Sequence, residues 1–310
     1  MQVKSLPKVA ASDFLRDLDL SQDELLALLD LTEQVKAAPA RYSHFLQGKS
    51  VALLFEKPSL RTRITFELAV KQLGGDVVLS TGPIAEREPL KDVARNLDRW
   101  TNAIVARTFS QQTIEELANW SSVPVINALS DRYHPCQALA DIYTLQERFD
   151  DVRGLKLAFV GDGNNVSNSL MLTALRLGMN FAIAAPKGYE PDAEIVAQSE
   201  ALAAVSGSRL TITKDPHEAV AGAHAVYTDV WTSMGQEKER EKRLSDFRGY
   251  QVNGKLLAQA SPDAVFLHCL PAKRGEEVTD EVMECAQSAV FDQAENRLHV
   301  QKSLLLMLLT

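Results

Sequence analysis

From residue 51 onward, short apolar runs alternate with longer stretches of helical periodicity. The runs are Val51–Phe55, Asp76–Leu79, Ala103–Ala106, Val123–Ile126, Lys156–Val160, Phe181–Ala184, Leu210–Ile212, Ala225–Tyr227, Ala264–Leu267 and Ala289–Phe291. Continuous apolar runs read as strands buried on both faces, since a half-buried strand would alternate apolar with polar residues. Ser21-Gln22-Asp23-Glu24 is a capping-box pattern that opens a helix. Leu25, Leu28 and Leu29 then recur on one face, with Thr32 taking the next inward position. Phe66, Leu68, Ala69 and Leu73 predict the buried side of a helix behind the first strand. Strands alternating with helices predict α/β architecture: two doubly wound parallel-sheet domains, with the active site in the cleft between them. Asp150-Asp151-Val152-Arg153-Gly154 reads as the linker, which gives domains 1–149 and 150–295. A terminal helix is expected over 296–310.

Composition narrows the class. The 310 residues suit two domains, and 45% hydrophobic with 24% charged residues is ordinary for a globular enzyme. A net charge of −8 argues against a general nucleic-acid binder. Cys136, Cys269 and Cys285 have no close spacing, so a disulfide framework is not expected and a reducing, cytoplasmic location is. Met1-Gln2-Val3-Lys4-Ser5 leads into no apolar signal core, and the run Leu304–Leu309 is far short of a membrane span.

The chemistry gathers at strand ends. Phe55-Glu56-Lys57-Pro58-Ser59-Leu60-Arg61-Thr62-Arg63 places two hydroxyls and two guanidiniums at the start of a helix. A helix N-terminus offers unpaired N–H groups and partial positive charge, so this is an anion cradle suited to phosphate. Arg107, the pair Asn164-Asn165, Asp229, and His268-Cys269 each follow another predicted strand. Open parallel sheets bind ligands outside the carboxyl ends of their strands. Gly161-Asp162-Gly163-Asn164-Asn165-Val166 lacks the third glycine of a dinucleotide fingerprint, and Ala184-Ala185-Pro186-Lys187 supplies no acidic partner for a ribose. The paired Asn side chains instead suit a small carboxylate. His134-Pro135-Cys136-Gln137 opens a helix with His at its mouth. No His/Cys spacing fits a zinc site, so no metal and no cofactor are expected. Asp229 and Ser233 suit an amino group; a helix cap by Thr232 or Ser233 is the plainer use of that turn.

Taken in order, these stretches resemble the aspartate/ornithine carbamoyltransferases over nearly the full chain. Ser59-Leu60-Arg61-Thr62-Arg63 resembles their S-T-R-T-R motif except at Leu60, and His134-Pro135-Cys136-Gln137 resembles H-P-x-Q. Asp229-x-x-x-Ser233-Met234-Gly235, His268-Cys269-Leu270-Pro271 and Phe291-Asp292-Gln293-Ala294-Glu295-Asn296-Arg297 resemble the ornithine enzymes. The resemblance implies transfer of a carbamoyl group from carbamoyl phosphate to ornithine. It implies carbamoyl phosphate on Ser59, Leu60, Arg61, Thr62, Arg107, His134, Gln137, Cys269, Leu270 and Arg297, and ornithine on Asn165, Asp229, Ser233 and Met234. Arg107, His134, Asp229 and Cys269 would be catalytic. It further implies a carbamoyl-phosphate domain first, an ornithine domain second, a C-terminal helix returning to the first, and trimers in which a neighbour's loop reaches the phosphate. Pro83 stands where many members carry Gln in that loop.

Overall fold

The computed structural model describes residues 6–233 and 235–310. Its nine strands, counted among the described residues, are β1 Ser50–Phe55, β2 Asp76–Thr81, β3 Ala103–Arg107, β4 Val125–Leu129, β5 Lys156–Val160, β6 Asn180–Ala184, β7 Leu210–Thr213, β8 Ala225–Tyr227 and β9 Val265–Leu267. The helices are α1 Gln22–Ala37, α2 Leu60–Gln72, α3 Leu90–Trp100, α4 Gln111–Asn119, α5 Pro135–Phe149, α6 Asn165–Arg176, α7 Ala193–Ser206, α8 Pro216–Val220, α9 Arg240–Asp246, α10 Gly254–Leu257, α11 Asp280–Glu284 and α12 Val290–Leu309. The chain divides into two compact units. One runs up to Tyr143 and takes in Glu295–Thr310; the other is Thr144–Ala294. Among the described residues, no helix is long and apolar enough to cross a membrane.

In the first unit the parallel sheet runs β2-β1-β3-β4. Ile104 and Ala106 of β3 join Leu54, Leu90, Ala94, Ile114 and Leu117 in one core cluster, so α3 and α4 cover that face. Leu53 and Val105 alternate to the opposite face and are equally buried, which is why Val51–Phe55 and Ala103–Ala106 are apolar throughout. Edge strand β2 departs from the expected cover: Val78 is 57% and Leu79 37% exposed. The α1 capping box forms, with Ser21 Oγ accepting from the Glu24 N–H and Glu24 Oε2 accepting from the Ser21 N–H. Thr32 fits the buried stripe of α1 because its hydroxyl donates to the Leu28 carbonyl at 2.7 Å. Phe66 and Ala69 on α2 and Leu73 at its C-terminal cap are buried as expected, but Leu68 is 39% exposed. Leu60, Ile64 and Leu68 instead recur every fourth residue along the outer face.

The second unit carries a parallel sheet in the order β7-β6-β5-β8-β9. Ala158, Val160, Val226 and Phe266 pack against Val220, Leu256, Leu257 and Val282 from α8, α10 and α11. The tenth run, Ala289–Phe291, is not a strand. Its approach adds only a single parallel bridge, Ser288 beside Phe266, before α12 begins at Val290. A short apolar run cannot be told from a buried helical turn by periodicity alone, and here Gln293-Ala294-Glu295 carries it into helix.

Gly163 is required by its own backbone rather than by a ligand. A Cβ there would lie 2.4 Å from the Pro191 nitrogen, and the Gly163 N–H donates to the Tyr189 carbonyl at 2.8 Å. That close approach accounts for the glycine the dinucleotide fingerprint shares.

Candidate active site

Both sheets reverse strand order at one point, between β1 and β3 in the first unit and between β5 and β8 in the second. Such switch points open a crevice beyond the carboxyl ends of the strands. Ser59, Arg61, Thr62 and Arg107 follow β1 and β3, and Asn165 and Asp229 follow β5 and β8; His134 and Gln137 come after β4, Cys269 after β9, and Arg297 lies on α12.

In the first unit, register aligns Phe55 with Arg107 and Arg107 with Leu129 at the carboxyl edge. Ser59 then caps α2, its hydroxyl accepting from the Thr62 N–H at 3.2 Å. Capping uses a lone pair and leaves the hydroxyl proton to donate. The Leu60 side chain is 71% exposed, so at that position only the backbone N–H belongs to the cradle. Arg107 ends β3 and is 7% exposed. Lys57 lies beside it: burial, and next the Arg107 charge, push its ammonium below the usual lysine range. Sequence reading gave Lys57 no role, although it stands in the quoted stretch. Glu56 ties the region down, with Oε2 accepting from the Phe109 N–H at 3.0 Å and Oε1 from the Ile84 N–H at 3.4 Å.

Arg297 on α12 donates through Nη2 to Thr62 Oγ1 at 2.9 Å and through Nη1 to Gln137 Oε1 at 2.5 Å. Gln137 Nε2 in turn donates to Asp141 Oδ1 at 2.7 Å. All four side chains are buried. This relay orients the Thr62 hydroxyl, because an oxygen accepting from Arg297 turns its own proton elsewhere. Asp141 anchors the relay and was missed, although it lies one turn beyond Gln137 on the same helix face. His134 precedes α5 and is buried. Burial, then the Arg297 and Arg107 charges, hold its imidazole well below the usual histidine range. It is therefore a neutral hydrogen-bonding group near pH 7. Cys136 beside it is buried, and desolvation pushes its thiol up to about 12, so it is a packing residue.

In the second unit, Asp229 follows β8 and is held on both oxygens. Oδ1 accepts from the Val230 N–H at 2.8 Å and from Cys269 Sγ at 3.1 Å, while Oδ2 accepts from Asn164 Nδ2 at 2.8 Å. Asn164 is committed at its other end too, since its Oδ1 caps α6 on Val166 and Ser167. The Asn164-Asn165 pair thus splits: Asn164 positions Asp229, and Asn165 opens α6. Asp162 pairs with Arg243 Nη1 at 2.6 Å, and the same nitrogen donates to the Trp231 carbonyl at 2.9 Å. Burial pushes the Asp162 carboxyl up, against the pull of Arg243. Ser233 does not cap a helix; its N–H donates to Gln236 Oε1 at 3.0 Å, ahead of a 3-10 turn over Glu237–Glu239. Met234 lies outside the described residues. Leu270 holds φ +58°, a left-handed conformation costing a branched residue about 1–2 kcal/mol.

Asp229, His268 and Cys269 place ligand-type atoms within 4.8 Å of one another. The trio is a poor metal set, because both ring nitrogens of His268 are engaged: Nδ1 accepts from the Leu270 N–H at 2.9 Å, and Nε2 faces Glu277 Oε1 at 3.2 Å.

An anion cradle in one parallel α/β unit and a braced carboxylate beside a thiol in the other suit transfer of a group from an anionic donor to an amine. Residues 12–147 match the model for the aspartate/ornithine carbamoyltransferase carbamoyl-P binding domain, and residues 153–308 that for the Asp/Orn binding domain. The chain belongs to the aspartate/ornithine carbamoyltransferase family. An ornithine carbamoyltransferase of Thermus thermophilus is 55% identical over 289 residues, covering 92% of this chain and 93% of its own. One from Methanoculleus marisnigri is 50% identical over 302 residues, covering 96% of each chain. The solved ornithine carbamoyltransferase from Pyrococcus furiosus superposes with a TM-score of 0.94 at 44% identity, covering 99% of both chains.

Proposed function

We propose that the chain transfers the carbamoyl group of carbamoyl phosphate to the δ-amine of L-ornithine, giving L-citrulline and phosphate. The observation that carries this reading is the relay Asp141–Gln137–Arg297–Thr62, which fixes a hydroxyl beside the α2 cradle. Carbamoyl phosphate takes the first unit. Ser59, Arg61, the Leu60 N–H and the α2 N-terminus hold its phosphate. Arg107, Thr62 and neutral His134 polarise its carbonyl, and Gln137 and Arg297 orient the carbamoyl group. Cys269 and Leu270 complete that side. Ornithine takes Asn165, Asp229, Ser233 and Met234.

The δ-amine attacks the carbonyl carbon, the oxyanion is stabilised by donors already in place, and phosphate leaves toward the cradle. A neutral His134 donates a hydrogen bond without adding charge that would hold the anion in its ground state. The amine must lose a proton, and a free amine of this kind has a pKa near ~10.4. Asp229, with the Cys269 thiol beside it, assists loss of that proton to solvent, and because only the neutral amine attacks, the rate rises toward alkaline pH.

The oligomer we assign is a homotrimer, or an assembly of trimers. Support comes from apolar side chains left exposed, Leu60, Ile64 and Leu68 on the outer face of α2 and Val78 and Leu79 on edge strand β2, which further copies would cover. We place the protein in the cytoplasm, where Cys136, Cys269 and Cys285 would stay reduced.

Measuring citrulline from carbamoyl phosphate with ornithine, putrescine or N-acetylornithine tests the reading. Ornithine should be carbamoylated far faster than either rival. Equal or greater rates on putrescine or the acylated amine would overturn the assignment of ornithine.

A further inference from the structure

Glu277 is fully buried, sits in the loop before α11, and belongs to none of the motifs that identify the family. One of its oxygens takes two donors. Oε1 accepts from the Lys273 N–H at 2.5 Å and lies 3.2 Å from His268 Nε2. The Leu270 N–H donates to the other ring nitrogen of His268, Nδ1, at 2.9 Å. A nitrogen that accepts cannot carry the ring proton, so the proton sits on Nε2 and points at Glu277. The His268 backbone is pinned as well, its N–H donating to Gln293 Oε1 at 2.9 Å, and Gln293 Nε2 donates to the Tyr227 hydroxyl at 3.1 Å.

These bonds close on one short segment. His268 and Lys273 bracket Cys269, whose thiol reaches Asp229, and Leu270, whose backbone is held left-handed. A branched residue keeps such a backbone only where its surroundings over-determine it. Here the determinant is a side chain four residues beyond Lys273. We propose that Glu277 is a positioning residue for the transfer reaction: by fixing the His268 tautomer and the Lys273 N–H, it sets where the Cys269 thiol and the Leu270 backbone stand. This rests on the reading of the reaction given above. Glu277 touches no substrate; it acts through His268 and the loop.

The property that matters is an acceptor at the right reach, not a negative charge. Glu277→Gln keeps a carbonyl oxygen at the Oε1 position. Glu277→Asp keeps the charge but withdraws the oxygen by one methylene. Citrulline synthesis by the wild type is measured first, and its absence would count against the reaction itself rather than against Glu277. With wild-type turnover established, Glu277→Asp should lose kcat by tenfold or more, the scale of a misplacement of about 1 Å. Glu277→Gln, which keeps the acceptor oxygen, should stay within about threefold of the wild type in kcat. Circular dichroism and thermal melting establish that both variants fold. Unchanged kcat in Glu277→Asp, or Glu277→Gln losing as much as Glu277→Asp or more, would overturn the proposal. If Glu277→Asp does not fold, a tenfold loss in folded Glu277→Gln would do the same.

Discussion

His134 shows how burial assigns a chemical role. Its folded pKa is depressed by desolvation and by two neighbouring guanidiniums, while the unfolded chain titrates near ~6.5. Above that pH both states carry a neutral ring and the group has no effect on stability. Below it, the unfolded state binds a proton that the folded state refuses, so stability falls as pH drops, by up to about 1.4 kcal/mol per pH unit. Urea midpoints measured from pH 7 to 5 should therefore fall more steeply for the wild type than for His134→Gln. Identical slopes would contradict a neutral buried imidazole. Leu60 makes the complementary case, since its side chain is mostly exposed and cannot donate to phosphate. Leu60→Thr adds a hydroxyl at the N-terminus of α2. We expect KM for carbamoyl phosphate to change by less than about threefold, because the backbone N–H already serves there. A tenfold fall in KM would show that the missing hydroxyl matters.

Among the elements, α6 couples architecture to the site most directly. Asn164 caps it and holds Asp229 with the same side chain. Asn164→Ala should cost about 1 kcal/mol of stability from the lost cap and raise KM for ornithine through a loosened carboxylate. Asn164→Ser keeps a cap but cannot reach Asp229, so it should restore stability without restoring KM. A variant pair in which KM follows stability would refute the positioning role. This double use was not visible in the chain, where the two Asn residues look equivalent. Strand cores were legible because the central parallel strands carry apolar residues on both faces, and the cradle was legible because Ser59 through Arg63 are contiguous. What sequence hid depends on tertiary placement. Asp141 and Glu277 are single polar residues whose partners arrive from a neighbouring turn or loop. Ala289–Phe291 reads as strand or helix with equal ease. Leu68 reads as inward, but on α2 the inward positions are Phe66, Ala69 and Val70, with Leu73 buried just past its end.

At the scale of the whole molecule, one chain divides two tasks between two parallel sheets, each with polar groups beyond the carboxyl ends of its strands. The first unit holds guanidiniums, hydroxyls and a helix N-terminus, which is chemistry for an anion. The second holds a braced carboxylate, which is chemistry for an amine. Direct transfer between the two substrates requires that the carbonyl carbon never leave as a free species. The most direct measurement follows carbamoyl phosphate labelled with carbon-14 at its carbonyl, incubated with ornithine and the wild type or Arg107→Ala. The label should enter citrulline in one-to-one proportion with phosphate released, and Arg107→Ala should lose that transfer by about a hundredfold or more as oxyanion stabilisation is removed. Phosphate release without labelled citrulline, or near-normal transfer by Arg107→Ala, would contradict it.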